Sequence, residues 1–133
     1  MQVNGHCHCG AITFTAELDP EKVLICHCTD CQTLSGSAYR TVAPAEDGSF
    51  KLLSGEMKTY VKIAEDGTPR ALTFCPNCGT PIYAGPVEGG SGMLGIRVGT
   101  LEQRAQLHPR KQYYCGSAQT WVQALSDVAR IES

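Results

Sequence analysis

Apolar and polar residues alternate over short stretches of this chain, and that alternation predicts strands. Ile12, Phe14 and Ala16 stand between polar neighbours and read as a half-buried strand. Asp19-Pro20 marks a turn, after which the apolar run Val23-Leu24-Ile25 leads into Cys26. Ala38 to Ala43 reads as a further strand, closed by a loop around Glu46-Asp47-Gly48. The clearest hairpin joins Lys58–Ile63 to Arg70–Phe74 through Glu65-Asp66-Gly67-Thr68, since Asp-Gly suits a turn that needs positive φ. Residues 80–84 form another extended piece. Residues 93–101 are expected as a strand with Leu94, Ile96 and Val98 on one face. Helical signals are sparse. Residues 29–36 read as a short helix capped by Thr29 or Asp30 and ended by Gly36. Ala118, Trp121, Val122, Leu125, Val128 and Ala129 have the spacing of a helix that would pack on the sheet, with Trp121 in the core. Gly85 to Gly92 is a flexible loop, and His108 before Pro109 falls in a turn. The fold class is therefore mainly β, with one or two short helices.

Length and charge narrow the class further. At 133 residues, 1–133 is expected as a single domain. The 11 basic and 13 acidic residues leave a net charge of −2, which gives no footprint for nucleic acid or an anionic membrane. A hydrophobic content of 42% with 18% charged residues fits a folded chain rather than a disordered one. With 7% aromatics and 14 glycines, the core should be modest and the loops numerous. Neither an export signal nor a run of about 20 apolar residues is visible, so the expected compartment is the cytoplasm. In that reducing setting the 8 cysteines are expected as metal ligands rather than disulfides.

Seven of the cysteines fall in three tight clusters: Cys7-x-Cys9, Cys26-x-Cys28-x-x-Cys31 and Cys75-x-x-Cys78. A Cys-x-Cys pair in a strand puts both sulfurs on one face, and tetrahedral zinc needs its sulfurs about 3.7–3.8 Å apart. Cys75-Pro76-Asn77-Cys78-Gly79 reads as a zinc knuckle, in which Gly79 supplies the positive φ that turns N–H groups towards the first sulfur. A knuckle gives only two ligands, and Cys7 and Cys9 are the natural other half. Disulfides or a redox pair at 75 and 78 are the competing reading. The middle cluster offers three thiolates and leaves one corner open, the mark of a catalytic rather than a structural zinc. Such a site is thiophilic, and a thiol entering the fourth corner would be held as a nucleophile. Closure of that corner by Cys115, or by His6, His8 or His27, would instead make a structural module. Cys115 is otherwise expected as a buried small hydrophobe. Iron–sulfur spacings do not match. Arg40, Arg70, Arg97 and Lys111 are of the type that holds a substrate carboxylate, although such residues are mostly solvated surface charges.

The motifs Cys7-His8-Cys9-Gly10, Cys26-His27-Cys28-Thr29-Asp30-Cys31 and Phe74-Cys75-Pro76-Asn77-Cys78-Gly79-Thr80 together resemble the glutathione-dependent formaldehyde-activating (GFA) enzyme family in order, spacing and flanking glycines. The resemblance implies a β-tent fold of antiparallel sheets stapled by two zinc ions. One is structural, on Cys7, Cys9, Cys75 and Cys78; the other is catalytic, on Cys26, Cys28 and Cys31. It implies addition of glutathione to formaldehyde to give S-(hydroxymethyl)glutathione, a carbon–sulfur lyase activity when written in reverse. Members often carry Arg where this chain has Gln32 and Thr73. The expected function is thus a zinc-dependent enzyme joining a small thiol, glutathione first, to formaldehyde or a related aldehyde. His27 and Asp30 are the candidate proton donors. The alternative is a non-enzymatic zinc module that binds another protein.

Overall fold

A computed structural model describes residues 1–133. In chain order the elements are β1 (Gln2–His6), β2 (Thr13–Glu17), β3 (Leu24–Cys26), α1 (Thr29–Ser35), β4 (Arg40–Pro44) and β5 (Lys51–Ser54). There follow β6 (Lys58–Ile63), β7 (Pro69–Phe74), β8 (Pro81–Pro86), β9 (Gly95–Arg97) and β10 (Lys111–Tyr113). Short 3-10 turns supply the rest, and no helix is long and apolar enough to cross a membrane. The mainly-β expectation holds.

The strands form a three-stranded sheet, β1-β2-β5, and a seven-stranded sheet, β10-β3-β4-β9-β8-β7-β6. Every ladder is antiparallel except β10 on β3, which is parallel. β6 and β7, the strands on either side of the Asp-Gly turn, pair from Lys58↔Phe74 to Ile63↔Pro69, as the turn residues predict, with Gly67 at φ +87°.

One hydrophobic cluster lies between the sheets. Val3, Phe14 and Ala16 come from the small sheet, and Ala43, Ile82 and Ile96 from the large one. Phe14 stacks on Phe50 at 5.0 Å, and Phe50 meets Tyr83 edge-on. Because side chains alternate across a strand, this packing fixes the opposite face of the large sheet. Ala43, Ile96 and Tyr83 are cross-strand partners on the core side. One residue away, Val42 pairs with Arg97, Cys26 with Arg40 and Ala84 with Gly95, all on the other side.

Four local expectations are corrected. The 93–101 strand is extended only over Gly95–Arg97 and then tightens into a 3-10 turn at Val98–Thr100, although Ile96 and Val98 are buried as expected. The N-cap of α1 is Cys28 rather than Thr29 or Asp30: its Sγ accepts the Cys31 N–H at 3.3 Å, and Gly36 ends the helix at φ +64°. The tail is not an amphipathic helix on the sheet. Residues Thr120–Asp127 make 3-10 turns broken at Ala124, and Trp121 is 52% exposed. Cys115, expected as a buried apolar residue, is exposed.

Candidate functional site

The structure brings together two groups of thiols. Cys7 and Cys9 lie on the turn after β1, and Cys75 and Cys78 on the turn between β7 and β8. Their sulfurs lie within 4.8 Å of one another, with Cys7–Cys9 at 3.6 Å and Cys9–Cys75 at 3.8 Å. Those separations suit a four-coordinate thiophilic metal ion. Gly79 adopts φ +80°, and the N–H groups of Asn77 and Cys78 reach the Cys75 sulfur. Cys78 is pulled down to about 5, chiefly by the Thr80 hydroxyl, and Cys9 is lowered, chiefly by the Asn77 side chain. Cys78 is thus prepared as a thiolate, the form a metal requires, and Cys9 is shifted towards it. No disulfide is present.

The second group is Cys26, Cys28 and Cys31. Cys26 ends β3, Cys28 caps α1, and Cys31 sits in its first turn. Cys26 and Cys31 share a hydrogen bond that pulls Cys26 down to about 5 and pushes Cys31 up. Cys115 is outside the group; its Sγ contacts the Gln112 carbonyl at 3.7 Å instead. His6 bonds Glu102, and the His8 backbone bonds Thr80, so neither joins the three thiols. The fourth corner therefore has no protein ligand.

These three thiols line a cavity of about 600 Å³, within the size range of small-molecule sites. Its floor is the outer face of the large sheet, where Cys26, Arg40, Val42 and Arg97 lie side by side. Leu34 from α1 and Leu72 from β7 add apolar wall. A smaller cavity of about 350 Å³ shares Leu34, Arg40, Leu72 and Arg97 with it.

The expected proton donors fare differently. His27 is 1% exposed, donates from Nε2 to Gln112 at 2.8 Å and packs against Tyr39, away from the cavity lining. Asp30 does line the cavity and pairs with Lys62 at 2.9 Å. Burial acts to lower Lys62, but the hydrogen bond and charge of Asp30 and the nearby thiols outweigh it, and the net direction is upward. Gln32 is a structural clamp. Its Nε2 donates to the carbonyls of His27 (2.8 Å) and Ser117 (2.9 Å), and Gln119 donates to its Oε1. Thr73 bonds the Tyr83 backbone on the core side.

Sequence reasoning treated the arginines as mostly solvated, which is right only for some. Arg40 is 5% exposed, and its Nε and Nη2 are buried without a partner. Arg97 is mostly buried, and its Nε is likewise unpartnered. Burial first, and the like charge of Arg40 second, push Arg97 down to about 9, still cationic at neutral pH. Arg70 lines the cavity but is tied to the carbonyls of Met93 and Ala84. Lys111 is exposed on β10 and outside the lining. Tyr113 and Tyr114, not anticipated from the sequence, also line the cavity. Tyr114 holds φ +56°, a left-handed conformation costly for a residue with a Cβ.

The fold has a counterpart in the crystal structure of a protein from Rhodobacter sphaeroides, at a TM-score of 0.61 and 21% identity over 82% of this chain and 98% of that one. In sequence, the chain is 28% identical over 82 residues to a Schizosaccharomyces pombe protein named an uncharacterised lyase. That match covers 62% of this chain and 56% of the relative, so the chain spans little more than half the relative's length. The family model for the glutathione-dependent formaldehyde-activating enzyme matches residues 2–117, which include all three cysteine clusters, and the chain belongs to that family.

Proposed function

We propose that this chain is a zinc-dependent lyase-type enzyme that joins a small thiol, glutathione first, to formaldehyde and forms S-(hydroxymethyl)glutathione. The observation that carries this reading is the three-thiol group, with no fourth protein ligand, opening into a cavity. The thiol-only donor set favours zinc over a hard cation. Cys7, Cys9, Cys75 and Cys78 hold a structural zinc; Cys26, Cys28 and Cys31 hold the catalytic one, two per chain in a single domain. Zinc bound there supplies Lewis acidity that favours the thiolate form of an incoming thiol.

The chain's own residues do the rest. The Cys28 cap sets α1 so that Cys31 faces Cys26 across the mouth of the site. Leu34 and Leu72 keep the thiol's stem out of water. Attack of the thiolate sulfur on the aldehyde carbon forms one C–S bond and shifts the carbonyl electron pair to oxygen. The Lys62 ammonium, held by Asp30, is placed to stabilise that oxyanion, which takes its proton from solvent or a tyrosine hydroxyl. Thiols add to formaldehyde unaided, so positioning supplies much of the rate.

The reading as a closed structural module loses its main support, because Cys115 does not reach the three thiols. Exchange spectroscopy by NMR on the zinc-loaded protein tests the enzyme reading. Faster exchange between glutathione and its hydroxymethyl adduct is expected, and Cys31→Ser should abolish the gain. Exchange no faster than the uncatalysed rate sinks the assignment.

A further inference from the structure

We propose that Arg40 and Arg97 form a two-guanidinium anchor for a carboxylate carried by the thiol substrate, making the cavity selective for anionic over neutral thiols. This rests on the reading of Cys26, Cys28 and Cys31 as the thiol-accepting site. Arg40 is directly opposite Cys26 on neighbouring strands, and Arg97 is opposite Val42, two residues along on the same face. Side chains of directly opposed residues start only about 5 Å apart, so a molecule at the thiols lies within reach of both arginines.

Neither arginine has a carboxylate partner within the chain. The ion pairs of the chain join Met1 to Glu17, His6 to Glu102, Lys62 to Asp30, Arg110 to Glu21 and Arg130 to Glu132, and neither arginine takes part. Of the acidic residues on the cavity wall, Asp30 is held by Lys62, which leaves Glu65 beside the hairpin turn. Arg70 adds a third guanidinium, spent on backbone carbonyls. Three thiolates around a zinc ion keep a formal charge of −3 + 2 = −1, enough to offset one arginine and not two. Three guanidinium nitrogens, Nε and Nη2 of Arg40 and Nε of Arg97, are buried with their hydrogens unused. Buried charged donors without partners are costly, and a guanidinium fork matches a carboxylate in two parallel hydrogen bonds. A thiol that also bears a carboxylate answers both needs: sulfur at the thiols and carboxylate at the arginines.

The test is calorimetric binding to the zinc-loaded protein of 3-mercaptopropionate, its neutral amide 3-mercaptopropionamide, and propionate. The acid should bind at least about tenfold more tightly than the amide, as loss of a charge-assisted hydrogen bond implies. Arg97→Gln and Arg40→Gln should erase that preference by lowering affinity for the acid much more than affinity for the amide. Equal affinity for acid and amide in the unmutated protein overturns the anchor without needing either variant to fold. Should neither thiol bind, propionate binding that Arg97→Gln removes upholds the anchor and rejects the thiol site. Absence of all binding rejects both.

Discussion

The two thiol groups should differ in what they do for stability, because they close loops of very different length. Cys9 and Cys75 are 66 positions apart and tie the turn after β1 to the turn after β7. Cys26 and Cys31 are 31 − 26 = 5 positions apart. In the chain-entropy picture a cross-link over a loop of the longer kind is worth about 4 kcal/mol. The longer closure exceeds the shorter by (3/2)RT times the logarithm of their length ratio, about 2 kcal/mol. The perturbations are Cys9→Ser with Cys78→Ser, and Cys28→Ser with Cys31→Ser. Both pairs spare Cys7 and Cys75, which are buried in the core. Serine at 28 also keeps an N-cap oxygen for the Cys31 N–H. Urea unfolding in excess zinc reads the result: with m near 2 kcal/mol per molar, the first variant should unfold about 1 M or more below the second. Equal midpoints, or a first variant as stable as the unmutated protein, would refute a metal staple between the two turns.

Three further outcomes are expected. Gly5→Ala should lower stability by about 1–3 kcal/mol on thermal unfolding, as overpacking does. A Cβ at that position would sit 2.4 Å from Phe14 Cζ and 2.8 Å from the Thr100 carbonyl, and an unchanged melting temperature would contradict the packing. Zinc binding to the Cys26 group should strengthen as pH rises. Cys26 is a thiolate above about 5, whereas its hydrogen bond keeps Cys31 protonated. Metal must displace that proton, so affinity falls about tenfold per unit of pH lost for each proton released. Calorimetry in buffers of different ionisation enthalpy counts the protons, and none released would be the wrong result. Finally Trp121, the single tryptophan, should be quenched by acrylamide nearly as freely in the folded as in the unfolded protein, given its 52% exposure. A shielded, blue emission would place the tail against the sheet instead.

What the sequence revealed was mostly local. The Asp66-Gly67 turn, the Gly79 knuckle and the alternation of Ile12, Phe14 and Ala16 each depend on a few neighbouring residues, and the structure has them as expected. The grouping of Cys7 and Cys9 with Cys75 and Cys78 was also legible, because each half is useless to a metal alone. The helix cap was misread because cysteine is not among the usual cap residues, yet the Cys28 sulfur accepts the N–H at 3.3 Å. The tail was misread because helical spacing of apolar residues is necessary for a packed helix but does not supply a surface to pack on. Trp121, Leu125 and Val128 remain half exposed. Arg40 and Arg97 were seen but could not be placed, since their burial depends on strand order and register rather than on their neighbours in sequence.

That register makes the site a consequence of the core. In β9 only Gly95, Ile96 and Arg97 are paired, and Ile96 enters the apolar cluster beside Ala43 and Tyr83. A slip of one residue between β4 and β9 would turn Arg97 into that cluster and Ile96 towards the cavity, burying a charge among apolar side chains. The energy that rejects the slip is therefore the same energy that keeps Arg97 on the cavity side of the sheet. The constraint continues across β4, where Ala43 faces the core and its neighbour Val42 shares the outer face with Arg40, directly opposite Cys26. The three-residue strands β3 and β9 have little pairing of their own with which to hold a register. β9 is held because Ile96, fully buried, has only one side of the sheet on which it can be satisfied, and β3 is held by its ladders to β4 and β10. Substitutions that loosen this cluster should consequently degrade the alignment of Cys26, Arg40 and Arg97 before they unfold the chain.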